Sequence, residues 1–509
     1  MTVETELKLH IAPEHLNRLK RHPLLKQLSP VRATTRKLYS VYFDTPDLDL
    51  RQRGMALRLR RAGKQWLQTL KGGGGVQAGL HQRNEWETPV AGEMLDFAAL
   101  EACGAARLPT ALRNKLQPVF VTDFTRTSRM VVIGDATIEL AMDSGEIRSG
   151  EAVSPISELE LELKSGEARQ LFELALALLD IVPLELEQTS KAEYGYILCA
   201  APGMEVCKAR APALEKSQGI PAALQAMIGS CLQHLQANVP GAIHKLDKEY
   251  LHQVRVALRR LRAALGMAET FRPDTVLAAL HEQVAALCTE LGRSREWDVF
   301  VTQTLAPVCA HLPEHTGLRE VLRTSESLRE QHQAKVQDIL RSQDYQRFLL
   351  HFGAWLKGAY WRAPVAPELT LPHFAAQILQ RRSKRVAKRG KPLAAPPPKT
   401  GSGDGPEDAS QLHALRIACK KLRYSAELFS SLYAEARTRR HLAALSRMQD
   451  ILGMLNDIAV ARRLLDELAA GTRHETIALV RGWIEHDYSE RLAELREAWK
   501  SFSGQKAFW

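Results

Sequence analysis

Residues Glu4–Leu9 read ETELKL, and Ser157–Lys164 read SELELELK. Both alternate charged with apolar side chains at the two-residue period of an extended strand, so Glu4, Glu6 and Lys8 share one face while Thr5, Leu7 and Leu9 share the other. The pattern recurs. Arg58 and Arg60 stand against Leu57 and Leu59, and Glu158, Glu160, Glu162 and Lys164 against Leu159, Leu161 and Leu163; Arg83, Glu85 and Glu87 form another charged set, as do Glu139 and Asp143. One such strand reads as a solvated outer face. Five of them predict a sheet curled closed, with its apolar face outward under helices and the charged faces lining a polar lumen. Buried charge of both signs needs neutralising, and an anion together with its metal suits the mixture: Mg²⁺ on carboxylate oxygens, phosphates on Arg and Lys.

Strict alternation marks Val3–Leu9, Met55–Arg61, Lys64–Lys71, Leu80–Thr88, Val131–Met142 and Ser157–Lys164 as strands, with helices expected at Glu14–His22 and Glu167–Ile181. The four glycines Gly72–Gly75 read as a flexible hairpin loop; no Lys-Ser or Lys-Thr follows, so they are not a phosphate-cradling Walker loop. Residues 201–216 read as a linker. From about 217 the hydrophobic period becomes 3.6, so residues 217–509 are expected to be all-α. The expectation is an α+β chain of two domains, 1–200 and 217–509.

The charge divides along the same line. The chain has 509 residues with 69 Lys and Arg against 58 Asp and Glu. Residues 1–200 carry 25 basic and 26 acidic side chains, and residues 201–509 carry 44 and 32, so the net +11 belongs to the second part and points to a polyanionic partner there. No apolar run is long enough to span a membrane. MTVETELKLH does not read as a signal peptide, and the seven scattered cysteines form no C-x-x-C pair, so a reducing cytoplasm is expected, without disulfide framework or thiolate zinc site.

The N-terminal residues resemble the CYTH superfamily, the triphosphate tunnel metalloenzymes. ETELK matches its ExExK signature, and YFDTPDLDLRQRGMALRLRR, WLQTLKG, GLHQRNEWE, TDFTR, IELAMDSGEI, SELELELKSG and SKAEYGY follow in the family's order, with the nearest resemblance to the bacterial inorganic triphosphatase branch. The resemblance implies an eight-stranded antiparallel tunnel hydrolysing tripolyphosphate, or short polyphosphate ends, with Mg²⁺ or Mn²⁺. It implies metal ligands at Glu4, Glu6, Asp143, Glu160 and Glu162, phosphate contacts from Lys8, Arg58, Arg60, Lys71, Arg83, Arg126 and Lys191, and Glu4, Glu6 and Lys8 at the catalytic centre.

The helical part contains an internal repeat. HQVRVALRRLRAAL from His252 and HALRIACKKLRYSA from His413 are offset by 161 residues, as are LGRSREWDV from Leu291 and LGMLNDIAV from Leu452. Units of about 217–370 and 371–509 are expected, with residues 390–410, rich in Pro, Gly and Ser, as a mobile surface loop. Intervals of three and four residues place His252, Arg255, Arg259 and Arg262 on one helix face, and His413, Arg416, Lys420 and Arg423 on its counterpart, widened by Arg260 and Lys421. A third run supplies Arg381, Arg385 and Lys388. Few carboxylates stand one turn away, so these stripes repel one another unless an anion binds. The duplicated segments resemble the CHAD domain, a helical domain of two four-helix units; Glu296 stands where the family more often has Asp. The resemblance implies long-chain polyphosphate binding without catalysis.

Alternative readings are an ATP-directed adenylate cyclase or a thiamine triphosphatase, and a non-catalytic protein of polyphosphate granules or nucleic acid. Trp66 and Trp86 are available for stacking an organic group, though Trp86 alternates away from the Arg83–Glu87 face. Nucleic acid is the poorer partner, since Tyr424 is the lone aromatic in the basic stripes. The expected location is the cytoplasm, with polyphosphate granules as a point of association.

Overall fold

A computed structural model describes every residue except 1, 30, 201–204, 245–246, 363–368, 395–405 and 470–473. It divides into two compact units: Met1–Glu205 with Arg341–Trp361, and Val206–Leu340 with Arg362–Trp509.

In the first unit, β1 (Thr2–His10), β2 (Thr34–Asp44), β3 (Met55–Ala62), β4 (Gln65–Gln77), β5 (Leu80–Val90), β6 (Gln117–Ile133), β7 (Ala136–Ser149) and β8 (Ala152–Ser165) form one antiparallel sheet, with the short β9 (Glu185–Glu187) added. Its order is β5-β4-β3-β2-β6-β7-β8-β1-β9, and β5 also pairs with β1, so eight strands close into a barrel. One edge of β1 pairs with β8 over Glu6–His10; the other pairs with β5 over Thr2–Leu7 and with β9 over Lys8–His10. The alternation dictates the two faces. Leu7, Leu9, Leu57, Leu59, Leu159 and Leu161 are fully buried on the outside, where the helix Arg169–Leu179 packs on β1 and β8 and a second apolar cluster gathers Leu50, Leu57, Leu70, Leu100 and Leu112.

The lumen is not wholly polar. Leu38, Phe120, Phe124, Ile147 and Ile156 share strand faces with Ser40, Arg126, Asp143 and Glu158, and they cluster with Tyr196 from the helix Lys191–Ala200. Tyr42 stacks on Phe120 at 4.4 Å, and Tyr196 meets Phe120 edge-on at 5.1 Å. This helix therefore plugs the apolar part of the barrel and sets Lys191, at its first position, among the lumen charges.

Three local expectations are corrected. Val131–Met142 is not one strand: the chain turns at Gly134 (φ 59°) between β6 and β7. The strands β2 and β6 were not read from alternation. Gly72–Gly75 lies within β4 as a register shift opposite β5, while the hairpin turns at Ala78 and Gly79. A Cβ on Gly74 would lie 2.0 Å from the Gln82 carbonyl oxygen, which accounts for glycine there.

The second unit is helical. Ile220–Ile243, Lys248–Phe271, Thr275–Val299 and Thr316–Arg341 form one set of long helices, and Leu371–Gly390, Pro406–Leu428, Glu435–Ala469 and His474–Ser503 the other. Asp247 and Asp274 cap two of them, accepting from the backbone N–H of Glu249 and Leu277. Residues 395–405 of the expected mobile loop and 201–204 of the expected linker lie outside the described residues. Among the described residues no helix is long and apolar enough to cross a membrane.

A Cβ at Gly195 would lie 2.2 Å from the Phe120 ring. Gly195→Ala is expected to loosen the plug helix and lower stability by about 1–3 kcal/mol, read as a lower denaturation midpoint by circular dichroism.

Candidate functional site

The barrel holds a cavity of about 490 Å³ bordered by eight basic and six acidic side chains. Strand pairing brings them together. Glu4 lies opposite Arg83, Lys8 opposite Glu160, Arg126 opposite Asp143, Lys71 opposite Glu85, and Arg58 and Arg60 opposite Tyr42 and Ser40.

Deepest is a network of three carboxylates and three cations. Lys191 Nζ lies 2.6 Å from Asp143 and 3.0 Å from Glu160 and also bonds Glu158; Lys8 and Arg126 both bond Glu160, and Arg126 Nε donates to Asp143 at 2.8 Å. Burial alone would raise the Glu160 carboxyl, but Lys191, Lys8 and Arg126 outweigh it and hold it well below the ordinary range. Burial opposes the charge on Lys8, and the surrounding carboxylates, Glu160 foremost, keep it protonated. Glu158 is raised to about 7, because burial there outweighs Lys191 and Lys8.

Across β1, β8 and β7 runs a row of like charges: Glu6 opposite Glu162, and Glu162 opposite Glu139. Lys164 partly offsets it at 2.7 Å from Glu162 and 3.1 Å from Glu139, but burial leaves the Glu162 carboxyl above its usual value. On the opposite wall Lys71 contacts Glu4 at 2.6 Å and Glu85 at 3.3 Å, and Arg58 lies 3.5 Å from Glu85. Arg60 donates to Ser40 Oγ at 3.2 Å and has no carboxylate partner among the described residues. Burial, with Arg58 and Arg126 nearby, holds its guanidinium down to about 10, the signature of a cation awaiting an anion.

In the helical unit the two basic stripes converge. Burial, with Arg416, Arg259 and Arg255 around it, depresses the Lys420 ammonium to about 6, and burial with Arg259 and Arg295 takes Arg255 to about 9. Arg416 is lowered by burial despite Asp457. Lys421, lowered by burial, feels Arg262, Arg382 and Arg385, which extends the cationic surface toward the third basic run.

Residues 2–196 match the family model of the CYTH domain and residues 226–466 that of the CHAD domain. The chain joins a CYTH domain to a CHAD domain. The CYTH part is 36% identical over 205 residues to an inorganic triphosphatase of Haemophilus influenzae, a match covering 39% of this chain and 55% of that protein. An uncharacterized protein of Mycobacterium tuberculosis is 26% identical over 496 residues, covering 91% of this chain and 89% of its own. The crystal structure of the CHAD domain from the plant Ricinus communis is 32% identical, with a TM-score of 0.50, and covers 60% of this chain and 99% of its own.

Of the residues expected in the CYTH lumen, Glu4, Glu6, Lys8, Arg58, Arg60, Lys71, Arg83, Arg126, Glu160, Glu162 and Lys191 all border the cavity. Asp143 is fully buried behind it, held by Arg126 and Lys191. Asp143, Glu158 and Glu160 bring oxygens within 4.8 Å of one another, a spacing able to hold a cation, though Lys8, Arg126 and Lys191 already neutralise them. Glu4, Glu6 and Glu162 line the cavity as well, each beside a lysine: Glu4 2.6 Å from Lys71, Glu6 3.0 Å from Lys8 and Glu162 2.7 Å from Lys164. Sequence alternation missed Ser40 and Tyr42, which lie on the uncalled β2; Ser40, Tyr42 and Asp44 alternate with Val41 and Phe43 and carried the signal. It also missed Ser190, whose Oγ accepts from Arg83 at 3.4 Å. Trp86 packs on the outer apolar cluster, yet also borders the cavity.

In the CHAD domain the structure brings together Arg255, Arg259, Arg416 and Lys420, with half-buried His252 beside them and Arg262, Lys421 and Arg385 further along. His413 is exposed, its Nδ1 3.2 Å from Asn456. Arg381 and Lys388 are exposed on the helix Leu371–Gly390. Arg260 does not join the face. One residue past Arg259 it has turned into the core, donating to the Arg210 carbonyl at 3.1 Å. Arg423 is engaged by Glu427 and Gln449.

A Lys held near 6 when folded but near 10.5 when unfolded binds fewer protons folded across that window, so it lowers stability as pH falls from about 10 to about 6. Lys420→Met is expected to raise the thermal midpoint relative to wild type at pH 7, with the difference closing above about pH 10.5, as followed by calorimetry without polyanion.

Proposed function

We propose that the CYTH domain hydrolyses inorganic tripolyphosphate, or the ends of short polyphosphate chains, and that the CHAD domain binds long-chain polyphosphate. The observation carrying the first half is Arg60: a half-buried cation without a carboxylate partner among the described residues, in a cavity where basic groups outnumber acidic ones. The triphosphatase relative supports the same reaction class.

In this reading Arg58, Arg60, Lys71, Arg83 and Arg126 grip phosphate oxygens through charge-assisted hydrogen bonds, and Lys8 and Lys191 hold the far end. Glu4, Glu6 and Glu162 would hold Mg²⁺ or Mn²⁺, which when bound offsets charge on the phosphate oxygens. Water attacks the terminal phosphorus in line, a new P–O bond forms as the bridging P–O bond breaks, and diphosphate leaves with the electron pair. A carboxylate of the wall takes the water's proton. Arg60 and Arg58 are placed by β3 before substrate arrives, so they stabilise the developing charge without reorganising.

A second reading, an organic triphosphate such as ATP or thiamine triphosphate, is favoured by one observation: Trp86 borders the cavity, and its buried indole N–H has no partner among the described residues. Phosphate release from tripolyphosphate, ATP and thiamine triphosphate ranks the two, and tripolyphosphate is expected to lead. Arg60→Ala and Glu4→Gln are each expected to lower kcat/KM by about 10²–10³, and chelation of the divalent ion to abolish turnover. An unchanged rate in Glu4→Gln sinks the tunnel assignment.

For the CHAD domain, Arg255, Arg259, Arg416 and Lys420 supply a surface that repels itself until an anion arrives. Polyphosphate raises the Lys420 pKa on binding, so affinity is expected to strengthen as pH falls from 9 toward 6, with proton uptake seen by calorimetry. Equal affinity for single-stranded DNA at matched salt reduces the surface to a generic basic patch.

A further inference from the structure

The helix Gln343–Leu356 lies in the chain between the two sets of CHAD helices, yet it belongs to the compact unit of the barrel. Phe348, Leu349, Phe352, Trp355 and Leu356 are buried along it, and Gly353 sits so close to Phe172 that a Cβ would lie 2.2 Å from that ring. Two of its glutamines meet one feature of the barrel. Gln346 Oε1 accepts from the Leu186 backbone N–H at 2.9 Å, and Gln343 Oε1 from that of Leu184 at 3.2 Å. Just beyond the helix, Lys357 Nζ donates to Gln77 Oε1 at 2.6 Å, beside the β4–β5 turn.

These contacts meet β9, which shares one edge of β1 with β5, and the end of β4 beside its turn into β5. β5 pairs with Thr2–Leu7 and β9 with Lys8–His10. The alternate amides of β9 point away from β1, and there the glutamines take the place of a neighbouring strand. From β9 the hydrogen bonds run on into the site. The Glu187 carboxylate accepts from the Thr189 N–H at 2.7 Å and from Tyr194 Oη at 2.8 Å, which fixes the turn into the plug helix; Ser190 precedes that helix and Lys191 begins it.

We infer that Gln343 and Gln346 are positioning residues for the lumen: they hold β9, and through Glu187 they set where Ser190 and Lys191 stand. The functional hydrolytic unit is then discontinuous in sequence, CYTH residues plus a strap drawn from within the CHAD stretch. The inference rests on the tunnel being the site of triphosphate hydrolysis.

The test uses the full-length protein with Gln343→Met and Gln346→Met together, side chains of similar reach without an acceptor, and Gln343→Met alone as the milder variant. The Leu184 and Leu186 amides are expected to exchange hydrogen faster, with the loss of protection reaching Thr189 and Glu193. KM for tripolyphosphate is expected to rise on the order of five- to tenfold, the effect of leaving a buried N–H without its acceptor, while kcat stays within about twofold. Arg347→Ala, which removes the exposed contact with Asp180 on the same helix, is expected to leave exchange and kinetics at wild-type values. Faster exchange confined to β9, or a KM change reproduced by Arg347→Ala, overturns the inference. A wild-type protein that does not hydrolyse tripolyphosphate overturns the functional reading alone, since the exchange measurement needs no turnover.

Discussion

Charge neutralisation inside the closed barrel is the constraint on which the first unit depends. Closure takes Asp143, Glu158 and Glu160 out of water, and carboxylates removed from water persist only if paired or protonated. Lys8, Arg126 and Lys191 supply the pairing, and they come from β1, β6 and the plug helix. The plug helix is thus tied to the barrel by ion pairs at one end and by Tyr196 against Phe120 at the other. Placing the cations there also settles what remains open. Arg60 and Arg83 contact serines and have no ion pair among the described residues, and Glu162 stays above its usual value despite Lys164. In the proposed reading a cation and an anion entering together complete the lumen.

In the proposed reading the CHAD surface meets the same class of ligand by the opposite arrangement. Its cations gather with few counter-charges: Asp457, itself raised by burial, lies near Arg416 and Lys420, and Glu296 is engaged by Arg463 at 2.6 Å. Burial first, and the neighbouring cations after it, depress the basicity of Lys420 and Arg255. A lumen with both signs discriminates by geometry and suits chemistry. A one-signed open surface discriminates by charge density and suits capture of a long chain.

Much of this was legible in the sequence because strand alternation and helix periodicity are local. Alternation at Glu4–Leu9 and Ser157–Lys164 states which side chains share a face, and a closed sheet with apolar leucines outside follows from five repetitions of it. The 161-residue offset likewise revealed the duplicated basic stripes. What failed locally also failed for local reasons. The four glycines carry no side-chain pattern, so the register shift in β4 was unreadable. β2 mixes Ser40, Tyr42 and Asp44 on its inner face, where no run of like charge stands out. Arg260 looked like a neighbour of Arg259 because adjacency in sequence hides the turn of about 100° between successive helical residues.

The sequence by itself determined the two domain types, the inward and outward faces of the charged strands, and most of the charged residues that border the lumen, because each is a property of short-range periodicity or of ordered motifs. Only the tertiary structure decided which charges are already spoken for and which remain available. Lys191 reaches Asp143, Glu158 and Glu160 across intervals of 31 to 48 residues, and Gln346 reaches Leu186 across 160. Separations of that kind are bridged only when strands close and helices dock, since no pattern along the chain encodes which distant partner a buried charge will find.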